Sequence, residues 1–206
     1  MIAIFAQGAA ESTKLWWHIS RASGIVGWAL AALAVLWGVA LATRALGKRP
    51  PAPWLLTVHR FLGALCIVFV AVHMGSLALD PFVTFRLDDL FVPMASTWKP
   101  LAVAWGIVAF YLLVAVEITS LVRNRIPNRL WHWVHLGSYA LYVLATVHLL
   151  TAGTDRTNPL LLGSVLASIA GLVFFLGYRF IGPGRAASVR SPGRTPAAER
   201  ATSRSA

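Results

Sequence analysis

The chain has 206 residues, of which 58% are hydrophobic and only 12% are charged. Soluble domains carry about 25% charged residues, so this composition excludes an ordinary soluble domain and indicates a membrane protein. Lys and Arg outnumber Asp and Glu by 18 to 7, which gives a net charge of +11. The basic residues lie between long apolar segments, which is the pattern of membrane topology rather than of nucleic-acid binding.

Five apolar segments approach the roughly 20 residues that a helix needs to cross a bilayer. In chain order they lie at about Gly24–Thr43, Trp54–Leu79, Leu101–Val122, Leu130–Thr151 and Pro159–Ile181. The first ten residues are too short to span and lack the basic start of a signal peptide, so we expect no cleavage. The sequence predicts an all-α membrane protein, a bundle of five transmembrane helices. We expect a short external segment at residues 1–15 and a transmembrane domain at residues 16–181.

The distribution of basic residues predicts the orientation of the bundle. Lys and Arg are concentrated in the first connection, the third connection and the C-terminal segment, at Arg44, Lys48, Arg49, Arg123, Arg125, Arg129, Arg185, Arg190, Arg194, Arg200 and Arg204. Because short loops rich in these residues stay in the cytoplasm, the pattern predicts an external N-terminus and a cytoplasmic C-terminus. Residues 182–206 have no apolar periodicity, and we expect a disordered basic tail that lies against anionic headgroups.

The second connection, Asp80–Pro100, is the long one on the external side. Its sequence DPFVTFRLDDLFVP mixes aromatic and acidic residues, which is typical of a short amphipathic segment lying in the membrane interface. A lid or a docking surface are the alternatives.

The histidines are the most informative residues of the predicted spans. Five of the six lie inside or at the edge of a span, at His59, His73, His132, His135 and His148. Ionisable residues are costly there, so each is a candidate functional residue. The second and fourth spans cross in the same direction, and their histidines match in depth. His59 and His135 lie about one turn from the cytoplasmic end, while His73 and His148 follow 14 and 13 residues later.

Each of these two depths therefore carries two imidazoles. In an apolar bundle with one cysteine, Cys66, and almost no acids, such a pair suits a six-coordinate b-type haem better than zinc or calcium. The alternative is that the histidines form hydrogen bonds between helices. His132 is interpreted as an interface residue, with replacement of His135 as a ligand the alternative, and His18 as an outer-interface residue.

Helical phase places both histidines on one face in only one of the two helices. At about 100° per residue, a step of 14 brings His73 back to within about 40° of the face of His59. A step of 13 leaves His148 about 140° away from His135, which requires a kink, a π-bulge or differently rotated haem planes.

Charged residues near the histidines add further hypotheses. Arg60 at the inner end, and Arg21 or Arg86 at the outer end, are candidates to pair with a haem propionate, and interfacial cations are the alternative. Glu117 is the acid that lies well within a span, and we expect it to pair with an arginine such as Arg123 rather than to accept protons from quinol.

At this point the sequence resembles a known family, the ferric reductase-like transmembrane domain of ferric-chelate reductases, NADPH oxidases and the haem subunit of bacterial methionine sulfoxide reductase. The resemblance rests on His-x13-His (His59, His73) and His-x12-His (His135, His148). Supporting segments are SRASGIVGWAL, HRFLG and RNRIPNRLWHWVHLGSY.

The resemblance implies two b haems, the inner bound by His59 and His135 and the outer by His73 and His148. It also implies that His132 is not a ligand and that the 13-residue step is a property of the fold. Members of the family commonly have six helices, where five are predicted for this chain. Many continue into a cytosolic flavin domain, but the sequence has no Gly-rich nucleotide fingerprint, so we expect no FAD or NAD(P) site on this chain.

The predicted function is transmembrane electron transfer in the plasma membrane of a bacterium, with membrane lipid as a partner and no nucleic acid. Electrons would come from a separate flavoprotein or quinol and leave for an external acceptor, either ferric iron or a partner redox protein. Two alternatives stay open: a quinol-linked haem subunit of an extracytoplasmic reductase, and a non-redox transporter or scaffold with metal- or proton-binding histidines.

Overall fold

The computed structural model describes residues 2–43, 51–81 and 85–181, with side chains for 15–43, 51–81 and 85–178. All regular elements in these ranges are helices. They are α1 (Ile2–Thr43), α2 (Ala52–Leu79), α3 (Leu87–Phe91), α4 (Pro100–Leu121), α5 (Asn128–Ala152) and α6 (Pro159–Ile181), with a 3-10 turn at Arg123–Arg125. The predicted tail, residues 182–206, lies outside the described residues.

Five of these helices are long and apolar enough to cross a membrane, which confirms the predicted all-α membrane bundle. The candidate spans are Leu15–Thr43, Ala52–Leu79, Pro100–Leu121, Asn128–Ala152 and Pro159–Tyr178. Proline marks the start of four helices, at Pro51 and Pro127 just before α2 and α5 and at Pro100 and Pro159 as the first residues of α4 and α6. Proline suits this position because the first helical N–H groups have no partner within the helix.

Helix α1 is longer than predicted, since it begins at Ile2 and its candidate span begins at Leu15 rather than Gly24. The prediction followed apolarity, which is interrupted by Lys14, His18 and Arg21. Helix propensity is not interrupted there, because Ala, Leu, Lys and Glu are strong helix formers.

The helices pack as two antiparallel pairs, α1 with α2 and α4 with α5, and α1 also contacts α5 and α6. One cluster of buried side chains joins α1, α5 and α6 around Trp28 and Tyr142. A second joins α1, α2, α4 and α5 around Cys66, which is 2% exposed and whose thiol donates to the carbonyl of Gly27. The second cluster packs both α2 and α5, the helices that carry the four histidines, against α1.

Candidate functional site

The structure brings the four predicted histidines together as two pairs between α2 and α5. We name His73 with His148 the outer pair and His59 with His135 the inner pair, after the predicted topology. The ring centres are 6.3 Å apart in the outer pair and 5.9 Å apart in the inner pair, with interplanar angles of 77° and 69°. An imidazole nitrogen lies about 2 Å from a first-row metal, so two trans imidazoles place their ring centres roughly 6 Å apart.

The outer imidazoles are each oriented by a backbone carbonyl. Nδ1 of His73 lies 2.8 Å from the carbonyl oxygen of Ser20, and Nδ1 of His148 lies 2.8 Å from that of Ala102. A carbonyl only accepts, so Nδ1 carries the proton in both rings. This leaves the Nε2 lone pair of each ring available to a metal, which is the usual arrangement for a metal-binding histidine.

Glycines on the neighbouring helices make room for three of the rings. A Cβ added at Gly106 would lie 2.7 Å from ring atoms of His148, and one at Gly24 would lie 2.9 Å from Nδ1 of His73. One at Gly38 would lie 3.1 Å from Cε1 of His59. Gly24 and Gly38 are 14 residues apart, the same step as between the two histidines of α2. These glycines were not predicted as site residues, although their spacing is visible in the sequence.

A cavity of about 750 Å³ surrounds the outer pair. It extends from Cys66 near the middle of the bundle to Asp155 at the outer end, and apolar and small side chains form most of its wall. This size is within the range of ligand sites in proteins. The outer pair therefore faces a large apolar space rather than a packed interface.

The described part of the connection between α2 and α4 lines this cavity. Phe85, Leu90 and Trp98 line it, and Leu90 in α3 is buried. The hydroxyl of Tyr111, well inside α4, donates to the carbonyl of Phe91 at 2.7 Å. Of the three interpretations of this connection, the geometry supports a cover over the outer cavity.

An ion pair closes the outer end of the cavity. Arg21 donates from Nε to Oδ2 of Asp155 at 3.0 Å and from Nη2 to Oδ1 at 2.5 Å. Arg21, one of the two candidates at the outer end, thus lies at the cavity, and its guanidinium has a protein carboxylate as partner. Arg86 forms an exposed pair with Asp88 instead of lining the cavity.

The inner imidazoles are held differently. Nδ1 of His135 and Nε1 of Trp131 are buried without a hydrogen-bond partner among the described residues. Nδ1 of His59 makes no hydrogen bond of good geometry there either, although the backbone of Ala34 lies close enough to interact with this imidazole. Trp131 stacks on His135 with ring centres 4.9 Å apart and an interplanar angle of 22°. The guanidinium carbon of Arg123 lies 4.2 Å from the centre of the Trp131 ring.

Glu117 does not pair with Arg123, contrary to the expectation. Its carboxylate lies directly against Gly63 of α2, where a Cβ would collide with it, and Arg60 is the cation whose charge acts on it. Arg123 follows α4 in the 3-10 turn and packs on the indole of Trp131 instead. Glu117 makes no ion pair within 4 Å in the described part of the chain.

The 13-residue step in α5 is accommodated without a π-bulge, since Asn128–Ala152 is α-helical throughout. The two rings of this helix are supported from different directions. His148 lies against Gly106 and Ala102 of α4, whereas His135 lies against Trp131 of its own helix.

The remaining histidines lie apart from the pairs. His132 is exposed and tilted relative to Trp131, with ring centres 6.4 Å apart, and His18 is exposed near the start of the candidate span Leu15–Thr43. No group of three or more His, Cys, Asp and Glu side chains that could hold a metal ion is present among the residues that the structure describes. A structural zinc site uses four such ligands.

The residues present therefore fit a planar metal group with two axial imidazoles. The outer level supplies the ring separation, the free Nε2 atoms and the apolar space. The inner level supplies a matching ring separation.

Comparison with known proteins finds a family and a relative to which the chain is similar. The family of ferric reductase-like transmembrane components matches residues 23–146, which include His59, His73 and His135, while His148 lies two residues beyond. The protein-methionine-sulfoxide reductase heme-binding subunit MsrQ of Herminiimonas arsenicoxydans is 27% identical over 123 residues. The match covers 55% of this chain and 53% of that protein, so the chain spans about half the length of this curated relative. No solved structure matches the chain significantly.

Proposed function

The chain belongs to the family of ferric reductase-like transmembrane components, and from this premise we propose that it carries electrons across a bacterial membrane through two b-type haems. His59 and His135 bind the inner haem and His73 and His148 the outer haem. The observation that carries this proposal is the presence of two His–His pairs whose ring centres are 5.9 and 6.3 Å apart.

The donor set supports haem b. Haem iron supplies a one-electron couple when bound, and the protein sets its ligands, burial and distance. Covalent attachment of haem through a Cys-x-x-Cys-His segment requires two cysteines, and this chain has one. Two axial histidines leave no open position on the iron, so the geometry favours electron transfer over oxygen activation.

The protein's own residues prepare the outer level. The carbonyls of Ser20 and Ala102 fix the tautomer of both imidazoles, and a hydrogen bond at Nδ1 increases the basicity of the ligating nitrogen. The external connection and the Arg21–Asp155 pair restrict access of water to the cavity. Arg21 lies where it can share its guanidinium between Asp155 and a haem propionate.

The partners follow from the position of the two levels. We propose a donor on the inner side, either a flavoprotein or membrane quinol, and an acceptor outside. The name of the relative describes a haem-binding subunit of a reductase. This supports a partner reductase as the acceptor, with ferric iron as the second candidate.

The first test is an absorption spectrum of the purified protein, oxidised and dithionite-reduced, together with haem per chain by pyridine haemochrome. We expect two low-spin haems b per chain in the wild type and one in His73→Ala or His148→Ala. His132→Ala and His18→Ala are matched controls that should keep both. Absence of haem after expression with adequate haem supply, or equal loss of both haems in the outer-pair variants, would contradict the proposal.

A further inference from the structure

The inner and outer imidazoles differ in what fixes their ring planes. An imidazole bound to a metal through Nε2 still rotates about the metal–nitrogen bond unless a second contact holds it. At the outer level the hydrogen bond from Nδ1 to a carbonyl provides that contact. At the inner level, Nδ1 of His135 has no such partner among the described residues, while His59 has a looser contact with the backbone of Ala34.

For His135, an aromatic contact takes the role of that hydrogen bond. Trp131 precedes His135 by four residues in α5, so the two side chains lie on the same face, one turn apart. Their rings are nearly parallel, at 22° and 4.9 Å between centres. A rotation of the imidazole would drive its edge into the indole face, so the stack restricts the plane of the ring.

Arg123 in turn holds the indole. Its guanidinium carbon lies 4.2 Å from the Trp131 ring centre, within the range of a cation–π interaction. Arg123 has no carboxylate partner within 4 Å in the described ranges, and its side chain is exposed. Arg123, in the 3-10 turn at the inner end of the bundle, therefore acts on the ring plane of His135 through its contact with Trp131.

We propose that Trp131, held by Arg123, is the positioning residue of His135 and that it fixes the angle between the two inner imidazoles. This inference rests on the proposed function, since it concerns the inner haem. Trp131 touches neither the iron nor a substrate, and it acts only through His135. The stack of Trp131 on His135 has the role that a backbone carbonyl has for each outer ring.

The angle between axial imidazoles has a spectroscopic readout. Each imidazole donates π-electron density into the iron d orbital perpendicular to its own plane. Nearly perpendicular planes raise two d orbitals equally, which gives a low-spin ferric haem with large g anisotropy. The inner rings are 69° apart and the outer rings 77° apart, so both haems should give such a signal in electron paramagnetic resonance.

The test compares this signal in oxidised wild type, Trp131→Leu, Trp131→Phe and Arg123→Gln, with haem counted in each. Trp133→Leu is the matched control, because Trp133 is two residues away and 65% exposed. We expect Trp131→Leu to remove about half of the high-anisotropy intensity, either by shifting the inner signal toward a less anisotropic form or by loss of that haem. Trp131→Phe should retain most of the intensity, and Arg123→Gln should lie between the two.

The outcomes separate this inference from the proposed function. A wild-type protein without two haems overturns the proposed function itself. Two haems in the wild type with an unchanged signal in Trp131→Leu overturn only the role of Trp131. Equal changes in Trp131→Leu and Trp131→Phe, or in Trp131→Leu and Trp133→Leu, also overturn it, because then stacking by an aromatic ring at position 131 is not what matters.

Discussion

The outer and inner histidine pairs have nearly the same ring separation but are supported by different kinds of group. The outer rings rest on backbone, since each Nδ1 meets a carbonyl of a neighbouring helix and each ring packs on a glycine. At the inner level, His135 relies on side chains, through the stack of Trp131 and the cation of Arg123, while His59 lies against α1 near the backbone of Ala34. Gly38 is the one glycine that packs against an inner ring among the described residues.

The difference teaches that a ligand pair can be oriented with or without the main chain. A backbone carbonyl is fixed by its own helix and survives any substitution at its residue, so the outer geometry is insensitive to most single changes. It depends instead on how closely the helices approach. The inner geometry depends on particular aromatic and basic side chains near the end of the bundle.

The largest expected effect comes from closing the space beside an outer ring. Gly106→Ala places a Cβ 2.7 Å from His148, a separation that real Cβ atoms do not tolerate, so the ring must leave its position against Ala102. We expect several-fold loss of the outer haem with retention of the inner one, measured by pyridine haemochrome and reduced spectra.

Two glycines provide matched controls for this variant. Gly75 in α2 and Gly163 in α6 have nothing within 4 Å of an added Cβ. Alanine is favoured over glycine in a helix by about 1 kcal/mol, so Gly75→Ala and Gly163→Ala should keep both haems and full stability. Loss of haem in the controls as well, or none in Gly106→Ala, would show that close approach of α4 does not hold the outer ring.

A smaller effect is expected at the inner pair. Gly38→Ala places a Cβ 3.1 Å from Cε1 of His59, which a shift of a few tenths of an ångström relieves. Because His59 has only a loose contact with the backbone of Ala34 and no hydrogen bond of good geometry at Nδ1 within the described residues, the ring can shift. We expect both haems to be retained, with a change confined to the inner haem's electron paramagnetic resonance signal. Loss of haem from Gly38→Ala equal to that from Gly106→Ala would remove the contrast between the two levels.

Sequence alone predicted the spans and the pairing of the histidines, because apolar length and matched depth are one-dimensional properties. It predicted α1 too short, since apolarity stops where helix propensity continues. It placed Arg21 near the cavity but missed Asp155, 134 residues away, as its partner.

The supports of the rings were harder to predict. Every residue has a backbone carbonyl, so nothing in the sequence marks those of Ser20 and Ala102 as the groups that orient the outer rings. Trp131 lies at the start of the fourth predicted span, but its stacking on His135 depends on side-chain direction. The expected pairing of Glu117 with Arg123 was wrong because the guanidinium packs on the indole of Trp131. Short-range spacing predicts which residues lie at one depth, and packing decides which of them touch.

The smallest expected effect tests whether the two levels are held independently. The hydroxyl of Tyr142 forms a buried hydrogen bond of 2.6 Å with Ser168, and it lies between His135 and His148 along α5. Hydrogen bonds between membrane helices contribute about 0.6 kcal/mol on average, so Tyr142→Phe should lower stability by roughly that amount. Because neither ring contacts this bond, both haem signals should keep their wild-type intensity while the thermal midpoint falls slightly. Selective loss of one haem in Tyr142→Phe would mean that docking of α6 on α5 positions a histidine, and that the supports identified for each ring are incomplete.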